Sequence, residues 1–375
     1  MEIYLDSAAT TKLREEAFLA MKPYLVDYYA NPSSIYSLGQ KTKSALELSR
    51  ESIANNLGAK SKEIYFTSCA TESINWALRG IKDSRKHIIS TETEHHATLH
   101  TLDYLKSRGY KISYCNVNEY GLIDINHLKS LIDKDTFLVS LIYANNEIGT
   151  IEPIEEVGNI LKDKNILFHV DGVQALGTID FNLNEMPVDM MSFSSHKIRG
   201  PRGVGVLYVR EGIKINPFIH GGAQERKKRA GTENVANIVG FAKALELSKK
   251  ELKEKVPYIK NLRDILLNNL LKIDGVYLNG HRDKRLVGNI NISIDNINIE
   301  QLLMMLDFKG ICASSGSACT AGSSESSHVL RAIGRDEKLA KNCLRLSINE
   351  ENTIDEITKA SDIIKTSILN LRSKE

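Results

Sequence analysis

Three places in this 375-residue chain hold side chains that could do chemistry, two of them where an apolar run ends. The apolar run Val188 to Met191 empties into Ser192-Phe193-Ser194-Ser195-His196-Lys197, and the run from Leu167 delivers Asp171. Strand ends are where open α/β sheets place ligands. A lysine flanked by a histidine, hydroxyls and a glycine is a candidate for sequestration, and a sequestered amine loses proton affinity and becomes a usable nucleophile. Taken alone, Lys-Ile-Arg also reads as a basic turn, and Asp171 as a helix N-cap. The third place is Cys319, inside Ser314 to Ser327 (SSGSACTAGSSESS), where fourteen residues carry no large apolar side chain. Such a stretch reads as a surface loop. Unpaired cysteines are mostly buried and inert, so a thiol here is unusual. Its pKa starts near ~8.5, which leaves little thiolate at neutral pH unless a neighbour such as His95 takes the proton.

Asp171 and Lys197 stand 26 residues apart, about one helix and one strand. A pyridoxal phosphate enzyme needs such a pair: a Schiff-base lysine for the aldehyde, and a carboxylate that keeps the pyridine nitrogen protonated. Their company is distinctive. TSCATES (67–73), TEHHA (93–97), ANNEIGT (144–150), HVDGVQ (169–174), SSHKIRGPRGVG (194–205), RAGTENV (229–235) and SSGSACT (314–320) follow one another in order. From Tyr4-Leu5-Asp6 through Arg345, the sequence resembles the cysteine desulfurases of the class V aminotransferase family, of the NifS and IscS type.

The resemblance implies a fold and a set of roles. The expected fold is that of the type I, aspartate aminotransferase-like pyridoxal phosphate enzymes. A large α/β domain (14–256) has a mostly parallel sheet, and a smaller α+β domain (1–13 and 257–375) carries the 314–327 loop. Lys197 is the Schiff-base residue, Cys319 the persulfide carrier, and His95 the ring-stacking residue that relays protons. Asp171 pairs the ring nitrogen and Gln174 the ring oxygen. Asn146 reaches the cofactor or the substrate carboxylate. Ala70 and Thr71 open a helix whose amides suit a phosphate, and Ser194 and His196 match phosphate ligands. Thr232 matches a hydroxyl that reaches the neighbouring subunit's cofactor, which implies a homodimer. Arg345 fits a bidentate clamp for the carboxylate of L-cysteine; without the family it reads as a surface charge on a strand. Sulfur leaves L-cysteine for Cys319, alanine is released, and an acceptor protein, a scaffold or a sulfurtransferase, draws the sulfur into iron-sulfur assembly or into tRNA or thiamine thiolation. The IscS branch carries a C-terminal extension that helps dock the scaffold. This sequence stops at Arg372-Ser373-Lys374-Glu375, which puts docking by that route in doubt. The alternatives are a selenocysteine lyase or another class V enzyme, and a non-catalytic binding subunit.

The elements that must position these residues alternate. Helical spacing runs from Gln40 to Leu57, and strands are expected at Ile64–Phe66, Lys86–Ser90, Lys111–Val117 and Phe137–Tyr143, with helices between. A long helical pattern follows Val235, and Pro257 is expected to interrupt it near the domain change. Val276–Leu278 and Asn289–Ile294 read as strands, Ile299–Leu306 and Ile354–Leu371 as helices. His96 and His100 stand four apart, but HExxH is absent, so solvent-facing histidines are expected and no metal. The basic run Arg226 to Arg229 reads as a solvated loop.

Composition sets bounds. A hydrophobic fraction of 42% is globular, and a net charge of +2 gives no electrostatic case for nucleic acid or an anionic membrane. No apolar run approaches a membrane span, and MEIYLDSAATTK does not read as a signal peptide. The five cysteines include no CxxC, so neither a disulfide framework nor a structural zinc site is suggested. A cytoplasmic location is expected.

Overall fold

The structure is a computed structural model that describes residues 2–316 and 326–373. Its strands, in chain order, are β1 (Ile3–Tyr4), β2 (Ile64–Thr67), β3 (His87–Thr91), β4 (Lys111–Cys115), β5 (Thr136–Ile142), β6 (Leu167–Asp171), β7 (Met190–Ser194), β8 (Gly205–Val209), β9 (Val276–Leu278), β10 (Asn289–Ile294), β11 (Ile311–Cys312) and β12 (Cys343–Ser347). Seven form one sheet in the order β2-β8-β7-β6-β5-β3-β4. Only β8 runs against its neighbours, and the pairs from β7 to β4 are parallel. Every residue of β3, β5, β7 and β8 is buried, as a sheet covered on both faces requires.

One polar thread crosses this apolar layer. The Ser90 hydroxyl donates to the Ser140 carbonyl, the Ser140 hydroxyl meets His169 Nδ1 at 2.8 Å, and His169 Nε2 meets the Ser192 hydroxyl at 2.9 Å. Burial holds the His169 pKa down to about 3, so the imidazole is neutral. The thread joins β3, β5, β6 and β7 one turn of pleat below Asp171. A slip in register would leave those groups unpaired.

A second, smaller core gathers Ile3, Leu5, Leu262, Leu266, Ile290, Ile292 and Leu344. It packs the antiparallel sheet β12-β10-β9 and the parallel pair β1-β11. The helix Val235–Leu270 serves both cores, giving Phe241 and Leu245 to the larger and Ile259 and Leu262 to the smaller.

That helix corrects the expectation at Pro257, which lies inside 36 uninterrupted residues. Proline removes its own N–H and leaves the carbonyl four residues back without a partner. Pro257 and Lys253 are both exposed, so water can serve that carbonyl, while buried Leu252 and Ile259 hold the helix on either side. The proposed boundary at 256 therefore falls within a helix and not at a break.

Candidate active site

The sheet has one topological switch. From β3 the chain steps outward to β4, then returns to the other side of β3 for β5, β6 and β7. Ligands of open α/β sheets sit beyond the carboxyl ends of the strands at such a point. A cavity of about 290 Å³ lies there. His95 enters it from the connection after β3, Asn146 from the one after β5, Asp171 from the end of β6, and Ser194 from the end of β7.

Lys197 follows β7 in a single 3-10 turn, Ser195–Lys197. Its amine donates to the carbonyls of Ala8 and Ala9 at 2.6 and 2.8 Å. Asp171, only 3% exposed, accepts from the Val173 amide at 3.0 Å. Burial pushes its pKa up to about 6, against the pull of that hydrogen bond and of the Lys197 charge. Such a carboxylate is stabilised by any positive group brought against it. Gln174 spans the same floor and donates to the Ala8 carbonyl at 3.1 Å.

The helix Ala70–Arg79 also brings its N-terminus to the cavity, with Cys69, Ala70 and Thr71 on the lining. No side chain caps it. Gly205 permits this approach, because a Cβ there would stand 2.7 Å from the Cys69 carbonyl carbon. His196 is on the same lining; its Nδ1 meets the Thr10 hydroxyl at 3.1 Å, and burial followed by the Lys197 charge holds its pKa down to about 4.

His95 caps the helix His96–Ser107: its Nδ1 accepts from the Ala97 amide at 3.1 Å. Burial first, then the charge of Lys197, brings its pKa down to about 4. With Nδ1 accepting, the neutral ring carries its hydrogen on Nε2, so His95 enters as a donor. Accepting a proton from a thiol requires giving up the Ala97 hydrogen bond. His96 departs from the solvent-facing expectation: both ring nitrogens are buried, and the ring packs between His100 at 5.1 Å and His328 at 4.6 Å. Among the described residues no group of histidines, cysteines and carboxylates could hold a metal ion.

Arg345 is not the surface charge that its strand position suggests. It lies on β12, is 1% exposed and lines the cavity. Its Nη2 pairs with Asp6 Oδ1 at 2.9 Å, and its Nη1 donates to the Gly316 and Asn146 carbonyls at 3.2 and 3.4 Å. The residues that sequence reasoning missed are in this neighbourhood: Asp6, and the Ala8 and Ala9 carbonyls of the same turn. Their only signal was the position of Tyr4-Leu5-Asp6 at the head of the resemblance.

Cys319 lies outside the described residues. Of the other thiols, Cys115 and Cys343 are buried and pushed up to about 12, and Cys312 up to about 11, so none of these three is a ready thiolate. Thr232 is exposed and is not on the cavity lining. Its loop is pinned, contrary to the solvated loop expected. Glu225 pairs with buried Arg50 at 2.7 Å, Arg229 with Glu72 at 2.8 Å, and Arg226 donates to the Ile64 carbonyl. Glu225, Arg226 and Lys227 all adopt positive φ to make this turn.

The fold and cavity define a sheet enzyme with a lysine–aspartate floor, and comparison gives it a family. The chain belongs to the class V aminotransferases, whose family model matches residues 3–359. It is 46% identical to the cysteine desulfurase IscS of Methanosarcina thermophila, over 99% of this chain and 93% of that protein. Among solved structures, a NifS-like protein superposes with a TM-score of 0.94 at 38% identity, over 99% of this chain and all of the other. A structure described as SspA in complex with cysteine matches with a TM-score of 0.83 at 33% identity, over 93% of this chain and 99% of that one.

Members of this family use pyridoxal phosphate, and the residues present fit it. The uncapped helix end beside Ser194 and His196 suits a phosphate. On the same lining, the buried Asp171 carboxylate suits a protonated ring nitrogen, and the Lys197 amine shares the cavity with both.

Proposed function

We propose that this chain, a pyridoxal phosphate-dependent cysteine desulfurase, takes sulfur from L-cysteine as a persulfide on Cys319 and releases L-alanine. The observation that carries the reading is the meeting of Lys197, Asp171, His95 and Arg345 on one cavity. Bound pyridoxal phosphate supplies an electron sink that acidifies the substrate Cα–H. Lys197 holds the cofactor at rest and moves the Cα proton. Asp171 holds a proton on the ring nitrogen, with Gln174 at the ring oxygen. Ala70, Thr71, Ser194 and His196 receive the phosphate. His95 would face the ring of the bound cofactor with Nε2–H available as a donor, and Asn146 and Arg345 would orient the substrate carboxylate. The Cys319 thiolate attacks the substrate sulfur: an S–S bond forms as the Cβ–S bond breaks, and Cβ takes up a proton.

The enzyme works as a homodimer, with Thr232 completing the partner's phosphate site. Exposed apolar side chains support this reading. Phe18, Leu19, Leu25, Val26, Tyr29 and Ile35 lie within one 18-residue stretch, and Ile35 is 94% exposed. A second copy of the chain is the simplest cover for them. A sulfur-acceptor protein discharges Cys319. The enzyme acts in the cytoplasm; among the described residues, no helix is long and apolar enough to cross a membrane.

The test is the visible spectrum of the purified protein before and after L-cysteine, with alanine and sulfide assayed in the presence of a thiol reductant. Wild type is expected to be yellow, to shift with L-cysteine and to give equal alanine and sulfide. Cys319→Ala keeps the colour and loses sulfide. A Cys319→Ala enzyme that still turns over L-cysteine sinks the persulfide route.

A further inference from the structure

The N-terminal turn joins the two working ends of the cavity. The Ala8 and Ala9 carbonyls receive the Lys197 amine, and two residues earlier Asp6 pairs with Arg345. Asp6 is fixed at both oxygens. Oδ1 accepts from Arg345 Nη2 at 2.9 Å, and Oδ2 accepts from the Ser314 hydroxyl at 2.7 Å. The backbone around it is also tied down: Ser7 N reaches the Ser347 carbonyl, and Ala8 N its hydroxyl. Ser314 in turn pairs with Arg345 through both main-chain bonds.

A guanidinium has five N–H donors. Among the described residues, three from Arg345 are engaged: one of Nη2 by Asp6, two of Nη1 by the Gly316 and Asn146 carbonyls. The remaining two are one on Nη2 and one on Nε, and Nε is buried with no partner among the described residues. Nε and Nη2 are the two nitrogens that offer parallel N–H bonds to a carboxylate approaching from the side.

We propose that Asp6 is a positioning residue for the substrate's carboxylate, holding Arg345 so that its Nε–Nη2 edge is the one left for ligand. The inference rests on reading Arg345 as the carboxylate clamp and adds what aims it. Simple electrostatics predicts the opposite sign for loss of Asp6: removing one carboxylate frees more positive charge for another. Positioning wins because the remaining contacts of Arg345 are two carbonyls at 3.2 and 3.4 Å, and a shift of about 1 Å is enough to spoil a bidentate geometry.

The experiment compares holoenzyme variants for turnover of L-cysteine, and for inhibition by L-alanine and by 2-aminoethanethiol, which is cysteine without its carboxylate. Asp6→Ala is expected to raise the KM for L-cysteine and the inhibition constant of L-alanine about tenfold, as loss of one charge-assisted contact does. Its kcat and its response to 2-aminoethanethiol stay within about twofold, the pattern of lost ground-state binding. Asp6→Asn keeps an acceptor for Nη2 and shows a smaller rise. An unchanged or lowered KM in Asp6→Ala, or an equal loss toward 2-aminoethanethiol, overturns the proposal. If Asp6→Ala does not retain the cofactor's colour, Asp6→Asn decides on the same criteria. Arg345→Gln separates the two readings. If it leaves L-alanine inhibition unchanged, the clamp and the role of Asp6 both fall. If it weakens L-alanine while the Asp6 variants do not, the clamp stands and Asp6 alone is removed.

Discussion

The floor and the wall of the cavity are held by different means. On the floor, Asp171, Ser194 and Lys197 are placed by the ends of adjacent parallel strands. Main-chain hydrogen bonds fix those strands, and the buried serine–histidine thread locks their register. On the wall, Arg345 is placed by side chains and carbonyls from distant parts of the chain; its ion pair with Asp6 spans 339 positions. A floor built from a sheet tolerates loss of a side chain without moving. A wall built from one buried ion pair does not, because removing either partner strands the other. Damage to the floor should therefore appear in the chemical step, and damage to the wall in substrate capture.

The largest effect should come from Lys197, the residue proposed to move the Cα proton. Lys197→Ala is expected to lower kcat for alanine formation about 10²–10⁴-fold, while the sheet and its thermal transition stay intact. A loss below tenfold would move the proton chemistry to another residue. Next comes Asp171→Asn, which replaces a preorganised charge with a neutral group of the same shape and should cost about 10²–10³ in kcat. This variant also isolates a pH effect. Burial raises the Asp171 pKa from an ordinary 3.8 to about 6, so the folded apoprotein binds that proton more tightly than the unfolded chain. The resulting stability is fully present below about pH 4 and is lost as pH rises to about 6. Wild-type apoprotein should thus lose about 3 kcal/mol relative to Asp171→Asn across that window. Denaturant titrations at pH 4 and pH 6.5 measure it, and a constant difference between the two proteins would mean that the carboxylate is better solvated than the fold implies.

The same contrast explains what could be read in advance. The floor was legible because its signal is local: an apolar run followed at once by a polar residue marks a buried strand and its mouth, and this recurs at Asp171 and Lys197. The wall was not legible in this way. An arginine between leucines in Cys343-Leu344-Arg345-Leu346 alternates like a half-exposed strand, and only the resemblance pointed to it. Its partner Asp6 has no sequence pattern that announces a contact across 339 positions. Pro257 was misread for a related reason. Proline's local cost is real, but the helix Val235–Leu270 is held by two cores that a local rule does not see. His96 was misjudged because its burial comes from His328, far along the chain.

The smallest expected effect concerns the one described candidate that does not line the cavity. Thr232 is exposed on a loop that Glu225–Arg50 and Arg229–Glu72 hold rigidly, so its absence from the cavity of its own chain is not a matter of slack. If its hydroxyl serves the partner's phosphate site, Thr232→Ala should weaken cofactor affinity by about two- to tenfold, the worth of one hydrogen bond. A mixed dimer sharpens the point. Pairing a Thr232→Ala chain with a Lys197→Ala chain leaves one site with an intact lysine and, across the interface, an intact threonine. The Lys197-bearing site should then recover wild-type affinity in a cofactor titration read by its absorbance. If it stays weak, the hydroxyl acts within its own chain, and the partner has no part in completing the floor.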